Sequence, residues 1–237
     1  MSSLSSAVYP MTDISMAIPL AQPNPSPVYE DQVEKERLKS HPVGPEFIPP
    51  PNFGEVVKGV YRSGFPSAWH LPSLKTLNLR SVLTLVEEPY TIPNYAKILK
   101  DNGINHFCIK VHPNKDPAIK TSQQTMNEIL EILLNKANHP ILVHCNKGKH
   151  RTGCVIACFR KLQSWKHDDV INEYLKYAYP KSRVLDVEYI EAFDPSKLAH
   201  RALAVNASSW QPSGRYKDLE PKDDAGLVAY ENSDASV

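Results

Sequence analysis

The sequence predicts an α/β domain with a central, largely parallel sheet and helices on both of its faces. Four short apolar segments have the length of strands, and segments with helical periodicity separate most of them. Strands that alternate with helices usually form parallel sheets, because each helix crosses a face of the sheet to reach the next strand. Ligands of such folds bind beyond the carboxyl ends of the strands. We therefore expect the functional site at a junction between a strand and the following helix.

The first half of the domain contains three of these strands. Residues 56–62 are largely apolar and β-branched and lead into a Ser-Gly turn signal. Residues 81–86 form a near-continuous apolar run, which is typical of a strand covered on both faces. A helix over 94–101 closes at Gly103, and residues 105–111 follow it as a third strand.

The second half begins with a strong helix. Thr121 and Gln124 match a capping box, and the apolar residues that follow lie three and four positions apart. Pro140 ends this helical segment, and the short strand 141–143 follows. A helix over 151–163 is apolar almost all round, so it is expected in the core.

Two more helices, over 168–178 and 186–193, complete the prediction. Asp186 is the expected N-cap of the second. The folded domain then spans about residues 46–201. It is flanked by a Pro/Ser-rich arm over 1–45 and an acidic tail over 202–237, both expected to be disordered.

Composition excludes several classes of function. A net charge of +1 provides no general field for nucleic acid or a membrane surface. No Lys or Arg precedes Lys35, so no secretory signal is predicted, and the apolar run 14–20 is too short to span a bilayer. The four cysteines have neither a disulfide framework nor the C-x-x-C spacing of zinc sites. We expect a cytoplasmic protein without a metal or cofactor, in which a thiol stays reduced.

The loop between the strand ending at Val143 and the helix starting at Arg151 reads His-Cys-Asn-Lys-Gly-Lys-His. A cysteine and an arginine separated by five residues at such a junction form a tight ring, and its N–H groups face one hollow. A tetrahedral phosphate fits there, and the same field favours the thiolate of Cys145. The fork of Arg151 suits two phosphate oxygens. The sequence therefore predicts Cys145 as nucleophile and Arg151 as its phosphate-binding partner.

The other loop residues have supporting roles in this prediction. Gly148 lets the backbone turn without a Cβ inside the ring. His144 orients the loop through its ring nitrogens, and Thr152 donates its hydroxyl to the sulfur and helps it leave. The residues expected to bind phosphate or substrate are Asn146, Lys147, Gly148, Lys149, His150 and Lys115.

Two other interpretations of this loop are weaker. Cys145 alone could be a buried structural cysteine, and Arg151 alone an ordinary first residue of a helix. Their spacing between a buried strand and a buried helix favours the catalytic interpretation. A nucleotide-binding P-loop is excluded, because its first glycine would fall at Val143.

The string His-Cys-x5-Arg-Thr-Gly at 144–153 resembles the signature of protein tyrosine and dual-specificity phosphatases. The full sequence HCNKGKHRTG is similar to that of the plant-and-fungal atypical dual-specificity phosphatases. So are the segments 60–66, 114–117, 160–163 and 173–181. The resemblance covers about residues 53–194, which is nearly the whole predicted domain.

This resemblance implies a cysteine-dependent phosphatase fold and hydrolysis of the β-phosphate of inositol pyrophosphates through a phosphocysteine intermediate. Several members of the family were named as tyrosine phosphatases or as oxidant-induced cell-cycle-arrest proteins. The chain departs from the family pattern at Asp116, where a glutamate is expected. An association with paralogous phosphatases stays open.

Charge at the loop favours a small polyanionic substrate. Lys147, Lys149 and His150 lie in the loop, and Lys115 and Lys120 precede the capped helix. A concentration of cations at one mouth of a nearly neutral chain suits a ligand with several phosphates. The alternative is that these lysines simply face solvent.

The general acid is less clearly marked. Asp116 is the best candidate for protonating a leaving oxygen, and a turn-forming aspartate before Pro117 is the competing interpretation. Glu87 and Glu88 are further candidates. A departing phosphate, whose second pKa is about 6, needs less protonation than a tyrosine oxygen with a pKa of about 10.

Three functions therefore remain open at the level of sequence. The favoured one is an inositol pyrophosphate phosphatase. The second is a protein tyrosine or dual-specificity phosphatase that acts on phosphoproteins. The third is a phosphate-binding scaffold without catalysis, which the presence of both Cys145 and Arg151 disfavours.

Overall fold

Five strands of four residues form one sheet at the centre of this computed structural model, which describes residues 47–87, 90 and 92–220. In chain order the strands are β1 (Gly54–Val57), β2 (Val60–Ser63), β3 (Ser81–Thr84), β4 (Asn105–Cys108) and β5 (Ile141–His144). Every residue of β1, β2, β3 and β5 is buried, whereas β4 is partly exposed. The last strand along the chain, β5, is the middle one of the sheet.

The sheet order is β1-β2-β5-β3-β4. Strands β1 and β2 pair antiparallel, and the other three pairs are parallel. Ser63 and Thr84 both lie level with His144 at the carboxyl end of β5. The predicted α/β class with a largely parallel sheet is confirmed, and the residue after His144 emerges at the edge where such folds bind ligands.

Seven α-helices accompany the sheet in the described part of the chain. They are α1 (Leu71–Thr76), α2 (Tyr95–Asp101), α3 (Gln123–Leu134), α4 (His150–Leu162), α5 (His167–Ala178), α6 (Val184–Ala192) and α7 (Ser196–Ala204). The predicted core helix is α4, and it packs against α3, α5, α6 and α7. No helix among the described residues is long and apolar enough to cross a membrane.

The prediction of a single strand over 56–62 is wrong. This stretch forms a tight hairpin, in which β1 ends at Val57 and β2 starts at Val60. The turn depends on Gly59, whose φ of +84° lies in the left-handed region that favours glycine. The apolar residues on both sides of the turn concealed it, because both short strands are buried.

Two predicted helix starts differ from the observed ones. The N-cap of α3 is Ser122, whose side chain accepts a hydrogen bond from the Thr125 amide, whereas the Thr121 hydroxyl accepts one from the His112 amide. Helix α6 starts at Val184, so Asp186 lies inside its first turn and is buried. The Asp186 carboxylate binds side chains of other elements instead of its own helix N-terminus.

The packed domain also extends beyond the predicted boundary at residue 201. Helix α7 ends at Ala204, Ala207 is buried, and Tyr216 is buried against Phe53 and Tyr61. A few well-placed apolar side chains tie residues 202–220 to the core although the segment is polar on average. The predicted arm over 1–45 and the tail beyond residue 220 lie outside the described residues.

Candidate active site

The loop over residues 145–149 connects the middle strand β5 to the core helix α4. Cys145 directly follows His144 and is buried, with 3% of its surface exposed. Asn146 and Lys147 are exposed, and Gly148 is buried again. The loop therefore dips into the protein at both ends and presents its middle to solvent.

The N-terminus of α4 is not capped by a side chain. Lys149 occupies the N-cap position and makes no capping hydrogen bond. The first amides of a helix lack partners within the helix, and the helix dipole places positive charge there. An uncapped helix N-terminus beside a cysteine is suited to bind an anion and to favour a thiolate.

Two cations near this helix start have no partner among the described residues. Arg151 is half-buried and Lys147 is exposed, and neither makes a hydrogen bond or an ion pair within the part of the chain that the structure covers. Both side chains are therefore available to a ligand. For Arg151 this agrees with the predicted role in phosphate binding, because a guanidinium presents two parallel donors.

Lys149 and His150 differ from Lys147 in this respect. The Lys149 ammonium donates to the carbonyl of Tyr179, and His150 Nε2 lies 2.6 Å from the carbonyl of Lys181. Burial lowers the pKa of His150. These two residues tie the start of α4 to the α5–α6 connection. Their predicted contacts with the substrate stay a prediction.

His144 is fixed beneath the loop by a buried hydrogen-bond network. Its Nε2 lies 3.0 Å from the Thr84 hydroxyl and 3.3 Å from the Tyr95 hydroxyl. The Thr84 hydroxyl is also 2.9 Å from His106 Nε2. Burial, and after it the neighbouring His106, lower the pKa of His144 to about 3. His144 is therefore neutral near pH 7, and its fixed ring holds the end of β5, from which Cys145 follows.

Gly148 is required by both backbone conformation and space. Its φ is +68°, and a Cβ at this position would lie 2.5 Å from the backbone nitrogen of Gly64. The loop therefore rests directly on the end of β2. The Phe65 amide also donates to the Asn146 carbonyl at 3.1 Å, which holds that carbonyl toward the β2 end.

Thr152, in the first turn of α4, is fully buried. Its hydroxyl has no hydrogen-bond partner among the described residues. The predicted bond from Thr152 to the Cys145 sulfur is thus not formed in this structure. A buried hydroxyl without a partner is costly, so Thr152 is a donor that a group arriving at the loop can use.

Asp116 lies in a tight turn between β4 and α3. The side chain is exposed, and its Oδ1 accepts a hydrogen bond of 2.9 Å from the Ala118 amide. This is the turn-forming role that competed with the role of general acid. Lys115 is exposed beside it. Of the other candidate acids, Glu87 pairs with Lys110 at 2.8 Å, and Glu88 lies outside the described residues.

Sequence reasoning missed that Asp186 holds this turn in place through Asn114. Asn114 is buried and donates to Asp186 Oδ1 at 2.8 Å, and Tyr174 donates to Asp186 Oδ2 at 2.7 Å. Asp186 therefore links the turn to α5 and α6. The signal in the sequence was that Asp186 has apolar neighbours, which is unusual for an exposed acid. It was not used, because Asp186 had been interpreted as a helix N-cap.

Arg62 was missed as well. It lies on β2, is 1% exposed, and donates to the Gly148 carbonyl at 3.1 Å. Asn52 Nδ2 donates to the same carbonyl at 3.1 Å. An arginine inside a short buried strand was the signal for this contact, because arginine is almost never fully buried without a partner.

An apolar cavity of about 560 Å³ lies elsewhere, between α1, α2 and the sheet. Its walls include Leu71, Leu79 and Ile98, and no residue of the 145–151 loop lines it. Within residues 47–87, 90 and 92–220, no group of three or more His, Cys, Asp or Glu side chains could hold a metal ion. We therefore place the candidate site at the 145–151 loop because of its thiol and cations, and not at the cavity.

These contacts define what the site can do. A thiol lies at the end of the middle strand, beside an uncapped helix start and an unpaired guanidinium. Such a set can bind a phosphoryl group and attack its phosphorus, with sulfur as the nucleophile and fixed positive charge on the equatorial oxygens.

Comparison with known proteins gives a consistent result. Residues 47–212 match the family described as "Tyrosine phosphatase family". The rice protein (Oryza sativa subsp. japonica) named inositol diphosphatase DSP1 is 45% identical over 153 residues, which cover 65% of this chain and 68% of the rice protein. The Saccharomyces cerevisiae protein named inositol diphosphatase SIW14 is 39% identical over 185 residues. That match covers 78% of this chain and 64% of the yeast protein.

A solved structure resembles the fold over the same region. The crystal structure of the core catalytic domain of the PP-IP phosphatase SIW14 from S. cerevisiae, in complex with citrate, has a TM-score of 0.64 and 40% sequence identity. The match covers 70% of this chain and 99% of the yeast catalytic domain.

Proposed function

Because the chain belongs to the tyrosine phosphatase family and is a cysteine-dependent phosphatase, we propose that it hydrolyses the β-phosphate of inositol pyrophosphates. We further propose that it acts in the cytoplasm, where its thiol stays reduced. The relatives named inositol diphosphatases support the substrate class. The observation that carries the proposal is the unpaired cation pair, Arg151 and Lys147, at the uncapped start of α4.

The proposed mechanism has two steps. The Cys145 thiolate attacks the terminal phosphorus, a sulfur–phosphorus bond forms, and the phosphoanhydride bond breaks with its electrons on the departing inositol phosphate. Water then attacks the phosphocysteine, the sulfur leaves as thiolate, and inorganic phosphate is released. Arg151 and the first amides of α4 stabilise the charge on the transferring phosphoryl group in both steps. The Thr152 hydroxyl, buried without a partner, can donate to the departing sulfur.

The leaving group decides how much a general acid contributes. A departing phosphate needs little protonation, because its second pKa is about 6. An exposed carboxylate engaged in a turn, as Asp116 is, suits a reaction that needs little acid catalysis. Phosphotyrosine leaves a far more basic oxygen and would require a well-placed acid.

The unpaired Lys147 is proposed to bind a phosphate that does not react. A substrate with several phosphates gains from this contact, and p-nitrophenyl phosphate has no second phosphate to offer. We expect Lys147→Ala to lower kcat/KM on a diphosphoinositol polyphosphate about tenfold, as for a lost hydrogen bond to a charged group. The change on p-nitrophenyl phosphate should be less than about twofold.

Kinetics on three substrates test this function: a diphosphoinositol polyphosphate, a phosphotyrosine peptide and p-nitrophenyl phosphate. Lys166→Ala is the matched control, because Lys166 is exposed beyond the opposite end of α4, about 20 Å along the helix axis. Asp116→Asn should be mild on the pyrophosphate. Equal losses on all three substrates for Lys147→Ala, with Asp116→Asn severe on each, would instead identify a protein tyrosine or dual-specificity phosphatase.

A further inference from the structure

Arg62 is a buried cation with an incomplete set of partners. The side chain is 1% exposed, and its Nε has no hydrogen-bond partner among the described residues. Its Nη2 donates to the Gly148 carbonyl at 3.1 Å, and its guanidinium stacks on the Tyr177 ring, 3.6 Å from the ring centroid. Burying a charge is costly unless it is paired. This position therefore calls for a reason beyond packing.

The carboxylate that acts on Arg62, that of Glu173, is already engaged. Glu173 accepts two hydrogen bonds of 2.8 Å from the buried Arg160, one to each carboxylate oxygen. Burial lowers the pKa of Arg62; the negative forms of Tyr177, Glu173 and Cys145 raise it, and Arg160 lowers it. These four groups, from α5, α4 and the loop, are the charged or titratable neighbours that act on Arg62. Among them the Cys145 thiolate is the anion that the catalytic cycle itself forms and consumes.

The contact with Gly148 places this charge directly behind the loop. The Gly148 carbonyl receives Arg62 Nη2 and Asn52 Nδ2, each at 3.1 Å. Two donors hold the negative end of this peptide dipole away from the anion-binding side. Arg62 Nη2 also lies 3.9 Å from the position that a Cβ on Gly153 would take, in the first turn of α4. The guanidinium thus lies behind both the loop and the helix start.

We propose that Arg62 is a positioning residue for the phosphatase reaction. It holds the Gly148 carbonyl away from the anion-binding side of the loop, and it supplies a fixed positive charge that favours the Cys145 thiolate. The inference rests on the proposed role of Cys145 as nucleophile. It assigns to β2 a part in catalysis, although β2 contributes no side chain to the loop itself. Arg62 acts in two ways, through a hydrogen bond and through charge, and substitutions can separate them.

The first readout is the alkylation of Cys145 by iodoacetamide, which follows the thiolate. The measured quantity is the alkylation rate at pH 6 divided by that at pH 9, with intact mass to locate the label. Arg62→Met removes the charge, so the thiolate forms less readily at pH 6 and the ratio should fall about tenfold. Arg62→Lys keeps a charge but cannot form the planar stacked contact. Its ratio should stay within about twofold of wild type.

The second readout is kcat on p-nitrophenyl phosphate. Arg62→Lys should lower kcat about tenfold, because the lysine point charge does not reproduce the fixed fork on the Gly148 carbonyl. Asn52→Leu serves as a comparison: it removes the other donor to the same carbonyl, together with the bond from Asn52 to the Tyr177 carbonyl, and removes no charge. It should lower kcat without changing the alkylation ratio.

Melting temperatures of all variants identify those that fail to fold. If Arg62→Met does not fold, Arg62→Lys and Asn52→Leu still decide the matter, since a purely structural arginine predicts a lower melting temperature with kcat unchanged. Wild-type kcat in folded Arg62→Lys, or a wild-type ratio in folded Arg62→Met, overturns the inference. Failure of the underlying function is separate, because it appears as retained turnover in Cys145→Ser.

Discussion

Cys145 and Arg151 lie at opposite ends of one short loop, and each is held by a different element. Cys145 continues the middle strand β5, and Arg151 lies in the first turn of α4. Their relative position therefore depends on the strand–helix junction, and no direct bond between the two side chains is needed. For a nucleophile and a phosphate-binding residue this is an advantage, since each stays free to contact the ligand.

We expect Cys145→Ser to abolish turnover while the fold persists, because a serine alkoxide is not stabilised near pH 7 as a thiolate is. Arg151→Ala should lower kcat by a factor of about 10² to 10³, as for the loss of a main electrostatic donor. Arg151→Lys, which keeps the charge without the fork, should recover little. Steady-state kinetics and intact mass of a trapped phosphocysteine measure both effects. More than about one percent of wild-type turnover in Cys145→Ser would exclude the covalent mechanism.

The buried His144 makes a separate prediction about acid stability. Its pKa is lowered to about 3 in the folded chain, whereas an unfolded histidine has a pKa of about 6.5. Between these two pH values the unfolded chain binds a proton that the folded chain does not. His144 alone should therefore lower the free energy of unfolding as the pH drops from about 6.5 toward 3, by at most about 1.4 kcal/mol per pH unit. Urea denaturation between pH 4.5 and 7.5 measures this slope.

His144→Gln should flatten that slope. His200→Gln is the control, because His200 is exposed on α7 and its loss removes the same number of histidines. A slope that falls equally in both variants would show that the acid sensitivity does not originate at His144.

At the scale of elements, a residue of α6 holds the connection between β4 and α3, although the two are 72 positions apart in the chain. Asn114 precedes the exposed Lys115 and Asp116, and its bond to Asp186 anchors the connection. The same carboxylate receives the Tyr174 hydroxyl from α5. One buried side chain thus sets the relative positions of two helices and of the turn that contains Lys115 and Asp116.

We expect Asp186→Ala to lower the free energy of unfolding by about 2 kcal/mol or more, because it leaves the buried Tyr174 hydroxyl without an acceptor and the Asn114 amide with only the Cys154 sulfur, 3.7 Å away. It should also lower kcat/KM on the pyrophosphate, since the turn with Lys115 loses its anchor. Glu188→Ala, on the exposed side of the same helix, should change the free energy of unfolding by less than about 0.5 kcal/mol. Urea denaturation of both variants makes the comparison. Equal stability of the two variants would contradict the anchoring role.

At the scale of the whole molecule, residues 202–220 complete the packing of the described domain. Tyr216 packs edge-on against Phe53 and Tyr61, with ring centroids 5.6 and 5.8 Å apart. Trp210 lies beside His139 and Phe159. The C-terminal segment thereby covers the β1–β2 hairpin, on whose second strand the catalytic loop rests.

We expect Tyr216→Ala to lower the free energy of unfolding by about 3 kcal/mol, as for the loss of a large buried aromatic side chain. Trp69→Ala provides an aromatic control, because Trp69 is 72% exposed and its removal should cost less than about 0.5 kcal/mol. Thermal unfolding of both variants is the measurement. If the stability of Tyr216→Ala equals that of wild type, the segment beyond residue 201 is not part of the packed domain.

The local sequence was sufficient for the loop and the elements on either side of it. A buried strand, a cysteine, five residues and an arginine at a buried helix start are all neighbours in the chain. Their chemistry could be inferred without a contact map. Hydrophobic periodicity likewise predicted α4 and α5 to within one residue, and the start of α3 to within about two. The end of α3 was predicted at Pro140 and lies at Leu134. In these segments the burial pattern and the local conformation agree.

The tertiary structure decided everything that depends on groups distant in sequence. Arg62 and Gly148 are 86 residues apart, and Asn114 and Asp186 are 72 apart. The partner of a buried polar side chain is chosen by which elements pack together, so the sequence of one element cannot reveal it. For the same reason Asp186 was predicted as a helix cap. The hairpin at Gly59 was predicted as one strand because its turn lies between two short apolar strands that are both buried. The sequence by itself determined the chemical groups of the site, and packing determined which residues hold them in position.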